Sequence, residues 1–196
     1  AQVALGGAQA TWPIASCPCE ERRLQFHVRR LPGNILSDYV FERLRVGEAV
    51  ALCGPVGEFV LPEDSARPLV FNAWGWQGFA PVKSVIEHAL AQEAAESIDL
   101  YWIGANATDH YHPRLCRSWA EAIDNFRYTP LIAGAGLHGE VTQTVRTTLA
   151  AMLRGLGPLA ERDFYVAGDA AQVEASRAFL AAQGLPAEHL VTWMPR

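Results

Sequence analysis

At 196 residues, the chain is long enough for one large domain or two small ones, each with its own core. Half of the residues are hydrophobic and 19% are charged, which is typical of a folded globular protein and excludes a largely disordered chain. The net charge of -5 gives no electrostatic reason to expect a nucleic acid or an anionic membrane as a partner.

Targeting signals and cysteine usage point to the same compartment. No apolar run approaches the ~20 residues of a membrane-spanning helix, and the first residues lack the basic segment of a signal peptide. Of Cys17, Cys19, Cys53 and Cys116, only the first two are close, and their C-x-C spacing matches neither paired zinc ligands nor an iron–sulfur motif. We therefore expect a cytoplasmic protein with free thiols and no metal site.

The first 60 residues have the pattern of β-structure with one short helix. Residues 24–28 alternate apolar and polar side chains, as a half-buried strand does. A turn follows, and Ser37 is expected to cap a helix over residues 38–44. Residues 46–52 predict a further strand that ends at Gly54-Pro55.

After residue 68 the pattern changes to strands that alternate with helices. Strands are predicted at 69–73, 98–104, 126–132, 163–168 and 189–194, and helices at 81–95, 113–122, 141–153 and 170–183. This alternation, with glycine at strand ends, indicates a parallel, doubly wound sheet. We expect a linker at 61–68, with a first domain over residues 1–62 and a second over 68–196.

Four glycine-containing segments carry a resemblance to a known family. They are GNILSDY at residues 33–39, GPVGEF at 54–59, GWQGFAP at 75–81 and YVAGD at 165–169. In order and spacing they resemble the G-x-x-S, G-P-x-G-x-F, G-G-T-G-I-A-P and Y-x-C-G-P segments of the ferredoxin–NADP reductase family. The resemblance is strongest to its flavin reductase and oxygenase-reductase branches, and it covers nearly the whole chain.

The resemblance implies a partial Greek-key β-barrel of the flavin type, followed by a parallel, Rossmann-like nucleotide-binding domain. It implies FAD or FMN and NAD(P)H as cofactors, with a hydride passing from the nicotinamide to the flavin and electrons passing on to an acceptor. It assigns no catalytic side chain. The implied cofactor-binding residues are Trp12, Ile14 and Ser16 beside the flavin, Gly33, Leu36 and Ser37 at its phosphate, Gly75, Gly78 and Gly168 facing the nicotinamide, and Trp193 stacking on the flavin.

Several ligand-binding positions depart from the family pattern. In the flavin motif R-x-Y-S-x-x-S, which corresponds to residues 10–16, the arginine is Ala10 and the first serine is Pro13. In the nicotinamide turn, the second glycine is Trp76 and the threonine is Gln77. Two functions stay open: a flavin-linked reductase, favoured by the nearly intact scaffold, and a non-catalytic relative that serves as a binding or assembly subunit.

Asn106 and the length of the first segment lead to two further expectations. Asn106 stands where many relatives carry an arginine that contacts the adenosine ribose or its 2′-phosphate, so NADH is expected over NADPH. Relatives have two or three barrel strands before the flavin motif, and this chain has nine residues there. Either the barrel is incomplete, or its first strands belong to a part of the protein outside this sequence. Because an incomplete barrel has open strand edges that need cover, we expect a homodimer or a docked electron-acceptor protein.

For other residues the sequence supports two interpretations. Trp12, Trp74 and Trp76 either line a flat ligand or fill the cleft that a lost cofactor would leave, and Trp193 either stacks on the flavin or is buried in its strand. Residues 109–112, with the sequence DHYH, are expected to form a solvated loop and not a metal site. His138 is expected on a surface loop, with a proton-donor role as the alternative.

Overall fold

The computed structural model describes residues 1–20, 22–62, 65–133 and 141–195, and His138 lies outside them. Two sheets form, one antiparallel and one parallel, which confirms the predicted fold class. The elements are β1 (Gln2–Leu5), β2 (Ala8–Thr11), α1 (Ile35–Glu42), β3 (Ala51–Cys53), β4 (Leu69–Trp74), α2 (Phe79–Ala91), β5 (Ile98–Gly104), α3 (Pro113–Ala122), β6 (Phe126–Ile132), α4 (Val141–Leu153), β7 (Asp163–Ala167), α5 (Ala170–Ala182) and β8 (Leu190–Trp193).

The antiparallel sheet has the order β2-β1-β3, and together with α1 it forms what we call the N-terminal region. Strands β1 and β2 were not predicted, and the strand predicted over 46–52 is reduced to Ala51–Cys53. The strand predicted over 24–28 is wrong, because these residues join no sheet in the described structure. Phe26 packs on the small core of the N-terminal region and His27 packs against Phe79 of α2, so the alternation arises without strand pairing.

Helix α1 begins one turn earlier than predicted. Asn34 caps it, because the Asn34 side chain accepts a hydrogen bond from the Ser37 amide at 2.9 Å. Ser37 therefore lies inside the first turn, and its predicted role as the cap is wrong. Its buried hydroxyl accepts from the Leu31 amide at 2.7 Å and donates to the Arg29 carbonyl at 3.2 Å, which fixes the preceding loop against the helix.

The parallel sheet has the order β6-β5-β4-β7-β8, and with α2–α5 it forms the α/β region. All five strands were predicted to within one or two residues, because each is a short apolar run bounded by glycine or a helix signal. Every residue of β4 and β7 is buried. One core lies between the sheet and helices α2 and α3, and a second lies between the sheet and helices α4 and α5.

Helix α2 joins the α/β region to the N-terminal region. The buried Lys83 donates from Nζ to the Ala15 carbonyl at 2.9 Å and to the Gln25 side chain at 3.1 Å. One residue along, the Ser84 hydroxyl donates to the Ser16 carbonyl at 2.6 Å. The loop that follows β2 is therefore held on α2 by hydrogen bonds to its backbone.

The cysteines differ from the sequence prediction. Cys17 and Cys19 form a disulfide, so the expectation of free thiols is wrong for this pair. The turn at Pro18 brings their Cα atoms to 5.1 Å, within the range that a disulfide spans. Cys53 and Cys116 are free. Among the described residues, no helix is both long and apolar enough to cross a membrane.

Candidate functional site

A cleft of about 380 Å³ lies between the N-terminal region and the carboxyl ends of the parallel strands. One wall comes from residues 9–13 at the end of β2, and another from residues 27–29 and the start of α1. The opposite wall comes from Trp76 and Gln77 after β4 and from Trp193 at the end of β8. Clefts at the carboxyl ends of parallel strands are the usual ligand sites of open α/β sheets.

The structure brings three of the ten implied binding residues to this cleft: Trp12, Ser37 and Trp193. Trp12 and Trp193 are half-buried, so each indole presents surface to a ligand. The Ser37 hydroxyl is already engaged with backbone groups of the preceding loop. Ser37 therefore shapes the cleft wall, and the two tryptophans provide its aromatic surface.

The other implied residues of the N-terminal region lie outside the cleft lining. The Ser16 hydroxyl is buried and bonds to the Arg23 carbonyl and the Gln25 amide, and Leu36 belongs to a small core with β1. Gly33 is exposed and donates its amide to the Asp38 carboxylate at 3.1 Å. Ile14 is half-buried and does not line the cleft.

The three implied glycines of the α/β region shape the strand ends beneath the cleft. The Gly75 carbonyl accepts a hydrogen bond from the buried Trp102 indole at 2.9 Å. A Cβ atom on Gly78 would lie 2.3 Å from the Ala167 carbonyl oxygen, and one on Gly168 would lie 2.5 Å from Trp74 Cβ. Glycine is therefore required where the turns after β4 and β7 meet.

His27 is a cleft residue that the sequence pattern did not predict. Its Nδ1 is 2.7 Å from the Tyr111 hydroxyl, and its ring lies 6.3 Å from the buried Phe79 ring. Burial, with a smaller contribution from the nearby His112 and Lys83, lowers the pKa of His27 to about 4. The neutral ring has its Nε2 buried without a hydrogen-bond partner among the described residues.

Arg29 is the second cleft residue that the sequence did not indicate. Its guanidinium lies 5.7 Å from the centre of the Trp76 ring and 3.4 Å from the Asp109 carboxylate. It brings a positive charge to a cleft where Ala10 replaces the family's arginine. An alternating pattern predicts that positions 27 and 29 face solvent, so nothing in the sequence marked them as cleft residues.

The segment over 109–112 is packed and not the solvated loop that was predicted. Asp109 is buried, and its carboxylate accepts from the Ala105 amide at 2.8 Å. Tyr111 lies edge-on to Trp102, whose ring in turn stacks on Phe79 at 3.8 Å. These contacts hold the wall behind His27, which explains why a segment rich in polar residues is ordered.

Asn106 and Asp169 are polar residues that follow strand ends and belong to the turns there. The Asn106 side chain accepts from the Thr108 amide at 2.9 Å, which caps a short turn after β5. Asp169 is the first residue before α5. Burial raises the pKa of the Asp169 carboxyl. Neither residue contributes a positive charge for a phosphate.

Comparison with known proteins identifies the family from more than half of the chain. Residues 75–178 match the model of the oxidoreductase NAD-binding domain. The chain belongs to this family. Together with the two sheets described above, the match confirms the predicted membership of the ferredoxin–NADP reductase family.

Individual proteins agree with this assignment. The chain is 29% identical over 178 residues to the CDP-6-deoxy-L-threo-D-glycero-4-hexulose-3-dehydrase reductase of Yersinia pestis, covering 88% of this chain and 51% of that protein. The fold matches an Amycolatopsis cytochrome P450 reductase, GcoB, with a TM-score of 0.82 and 24% identity over 98% of this chain and 59% of the other. It also matches a ferredoxin NADP+ reductase from Neisseria gonorrhoeae with bound FAD and NADP, with a TM-score of 0.78 and 15% identity over 98% and 83% of the two chains. The chain spans about half the length of the curated relatives it matches.

The residues of the cleft fit a flat group with a polar edge. Trp12 and Trp193 offer aromatic surface, and His27 Nε2 and Gln77 Oε1 are buried without partners among the described residues. Each unsatisfied group of this kind costs about 1–3 kcal/mol, which a ligand with matching polar groups would recover. A flavin ring, with carbonyl and N–H groups along its edge, has this character.

Proposed function

We propose that the chain is a flavin-linked oxidoreductase that uses NAD(P)H and passes electrons to an acceptor. The observation that carries the proposal is the cleft itself. It combines the aromatic side chains of Trp12 and Trp193 with the two unsatisfied polar atoms of His27 and Gln77. A bound flavin, FAD or FMN, would supply the chemistry by accepting a hydride from a nicotinamide and releasing the electrons to an acceptor.

The chain's own residues bind and orient in this proposal. Trp12 and Trp193 hold the ring system, and the neutral His27 contributes one hydrogen bond through Nε2. The guanidinium of Arg29 provides the positive charge for a phosphate that Ala10 does not. The turn of residues 75–78 meets the nicotinamide at the carboxyl end of β4. The stacked Phe79 and Trp102 rings, both fully buried, support that turn and exclude water beneath it.

We propose NADH as the preferred donor. A 2′-phosphate is recognised by a positive charge, and Asn106, which stands at the position concerned, is neutral and caps a local turn. The named relatives are reductases. We therefore propose that the partner of this chain is an electron-acceptor protein that docks beside the flavin edge.

A second candidate is a non-catalytic binding subunit, which one observation favours. Trp76 replaces the family's glycine, and its indole lies against Arg29 in the cleft, where a nicotinamide would approach. If this contact persists in solution, the cleft is closed to a dinucleotide. The reductase function therefore requires Trp76 to move away from Arg29, and the binding-subunit function does not.

Titration of the purified chain with FAD and with FMN tests the proposal. We expect the visible absorption of the flavin to shift on binding and to bleach when NADH is added anaerobically. Trp12→Ala and Trp193→Ala should each weaken flavin binding. Trp119→Phe is the matched control, since Trp119 packs on Phe126 at 5.6 Å and does not line the cleft.

Trp76→Gly separates the two candidates. For a reductase gated by Trp76, this variant should speed the bleaching by NADH without weakening flavin binding. Bleaching faster with NADPH than with NADH would contradict the proposed donor preference. If the wild type and Trp76→Gly bind neither flavin nor NADH, the reductase proposal is wrong and the binding-subunit function remains.

A further inference from the structure

A cluster of three metal-ligating side chains lies outside the cleft, at the contact between the two regions. Cys17 and Cys19 belong to the loop after β2, and His88 lies in the last turn of α2. The two sulfur atoms and a ring nitrogen of His88 lie within 4.8 Å of one another. Because the third residue is far away in sequence, the C-x-C spacing alone did not reveal the group.

One pair of atoms in the cluster has the separation of a tetrahedral site, and the two bonded sulfur atoms must separate on reduction to complete it. Zinc binds thiolate sulfur at about 2.3 Å and histidine nitrogen at about 2.0–2.1 Å, so a tetrahedral angle places sulfur and nitrogen roughly 3.6 Å apart. Cys17 Sγ lies 3.9 Å from His88 Nδ1. The two residues are therefore already near the separation that a shared zinc ion requires.

The surroundings fix the position of the Cys17 sulfur. The Cys19 amide donates a hydrogen bond to Cys17 Sγ at 3.1 Å. The loop is held on α2 by the bonds from Lys83 to Ala15 and from Ser84 to Ser16. The loop and the helix that supply the ligands are thus held together without a metal, which lowers the ordering cost of binding one once the disulfide is reduced.

We propose that the reduced form of this cluster binds Zn²⁺ through the thiolates of Cys17 and Cys19 and through Nδ1 of His88. The fourth position is left to water on the side of the exposed Cys19. The disulfide is the oxidised, metal-free form. A dithiol reductant supplies two electrons and two protons to give the two thiols and itself becomes a disulfide, and metal binding then releases the two thiol protons. The site thereby links the redox state of the loop to its attachment on α2.

Cobalt titration tests this proposal directly. The full chain is treated with a dithiol reductant, freed of it anaerobically and titrated with Co²⁺, whose thiolate complexes absorb in the near ultraviolet. We expect saturable binding of one ion, displacement by Zn²⁺, and no binding to the untreated disulfide form. Cys17→Ser, Cys19→Ser and His88→Gln should each abolish the tight binding.

Cys53→Ser is the matched control, because Cys53 is an exposed free cysteine outside the cluster and its replacement should change nothing. Circular dichroism checks the fold of every variant. If Cys17→Ser does not fold, Cys19→Ser and His88→Gln carry the test, because Cys19 is exposed and His88 is half-buried. Failure of the reduced chain to bind Co²⁺, or binding that survives both of these variants, would overturn the proposal.

Discussion

The two regions of the molecule differ in how completely their strands are covered. In the N-terminal region all three residues of β3 are exposed, and the small core contains three buried residues, Val3, Leu5 and Leu36. In the α/β region every residue of β4 is buried between neighbouring strands and two layers of helices. We infer from this difference that the parallel sheet contributes most of the stability of the chain, whereas the antiparallel sheet mainly positions cleft residues.

The largest expected effect is the cost of replacing leucine by alanine, which we compare in the main core, in the small core and at an exposed position. Leu100→Ala, at a fully buried position of β5, should lower the free energy of unfolding by about 3–4 kcal/mol. Leu36→Ala, in the small core, should cost about 2 kcal/mol. Leu52→Ala, whose side chain is exposed, should cost less than about 0.5 kcal/mol. Urea denaturation measures all three, and equal costs for Leu36 and Leu100 would contradict the difference between the regions.

The stability costs of glycine substitutions in the two regions should differ in the same direction, but by a smaller amount. A Cβ on Gly168 meets Trp74 Cβ at 2.5 Å, and since both atoms belong to packed strand ends, Gly168→Ala should cost about 2–3 kcal/mol. Gly33 has a φ of +80° with open space around it, so Gly33→Ala should cost only about 1 kcal/mol from backbone strain. Thermal unfolding of the two variants tests the order, and a reversal would show that the turn after β7 can move.

The last expected effect is a pH dependence at the contact between the regions, and because His27 is only half-buried, solvent screening keeps its contribution to stability small. The pKa of His27 is lowered to about 4 in the folded chain, against about 6.5 when unfolded. Its contribution to stability is therefore complete above about pH 6.5 and is lost as the pH falls towards 4. The charged and titratable groups around it are His112, Lys83, Arg29 and Tyr111.

Denaturation midpoints measured between pH 7 and pH 4 test this dependence. His27→Gln should flatten the profile by removing the group that must stay neutral. His112→Gln should flatten the profile less, because burial also lowers the pKa of His112 but the residue is largely exposed. An unchanged slope in His27→Gln would assign the acid sensitivity to other groups.

The same difference in how completely the strands are covered explains which strands the sequence could predict. Strands β4, β5 and β7 were predictable because each is a buried, mostly apolar run followed by a helix, which is a local signal. Strands β6 and β8 lie at the edges of the sheet and are less buried, and they continue the same alternation of strands and helices. Strands β1 and β2 are four residues each and depend on pairing partners elsewhere in the chain, so their own residues do not identify them.

The candidate site was predictable only in part. Of the residues that the family resemblance named, Trp12 and Trp193 line the cleft, while the Ser16 hydroxyl bonds within its own loop and Leu36 packs in the small core. His27 and Arg29 were missed because the polar positions of an alternating segment normally face water, and here they face a second layer of structure. Contacts of this kind depend on how the two regions meet, which periodicity does not encode.

Lys83 is the one lysine in the sequence, and the fold buries its amine at the contact between the loop and α2. Acylating reagents such as succinimidyl esters attack free amines, so the folded chain presents them with no accessible lysine. Labelling of this side chain requires the loop to leave the helix. The rate at which a single acyl group is added at position 83 would therefore measure how often that contact opens, with no engineered probe needed.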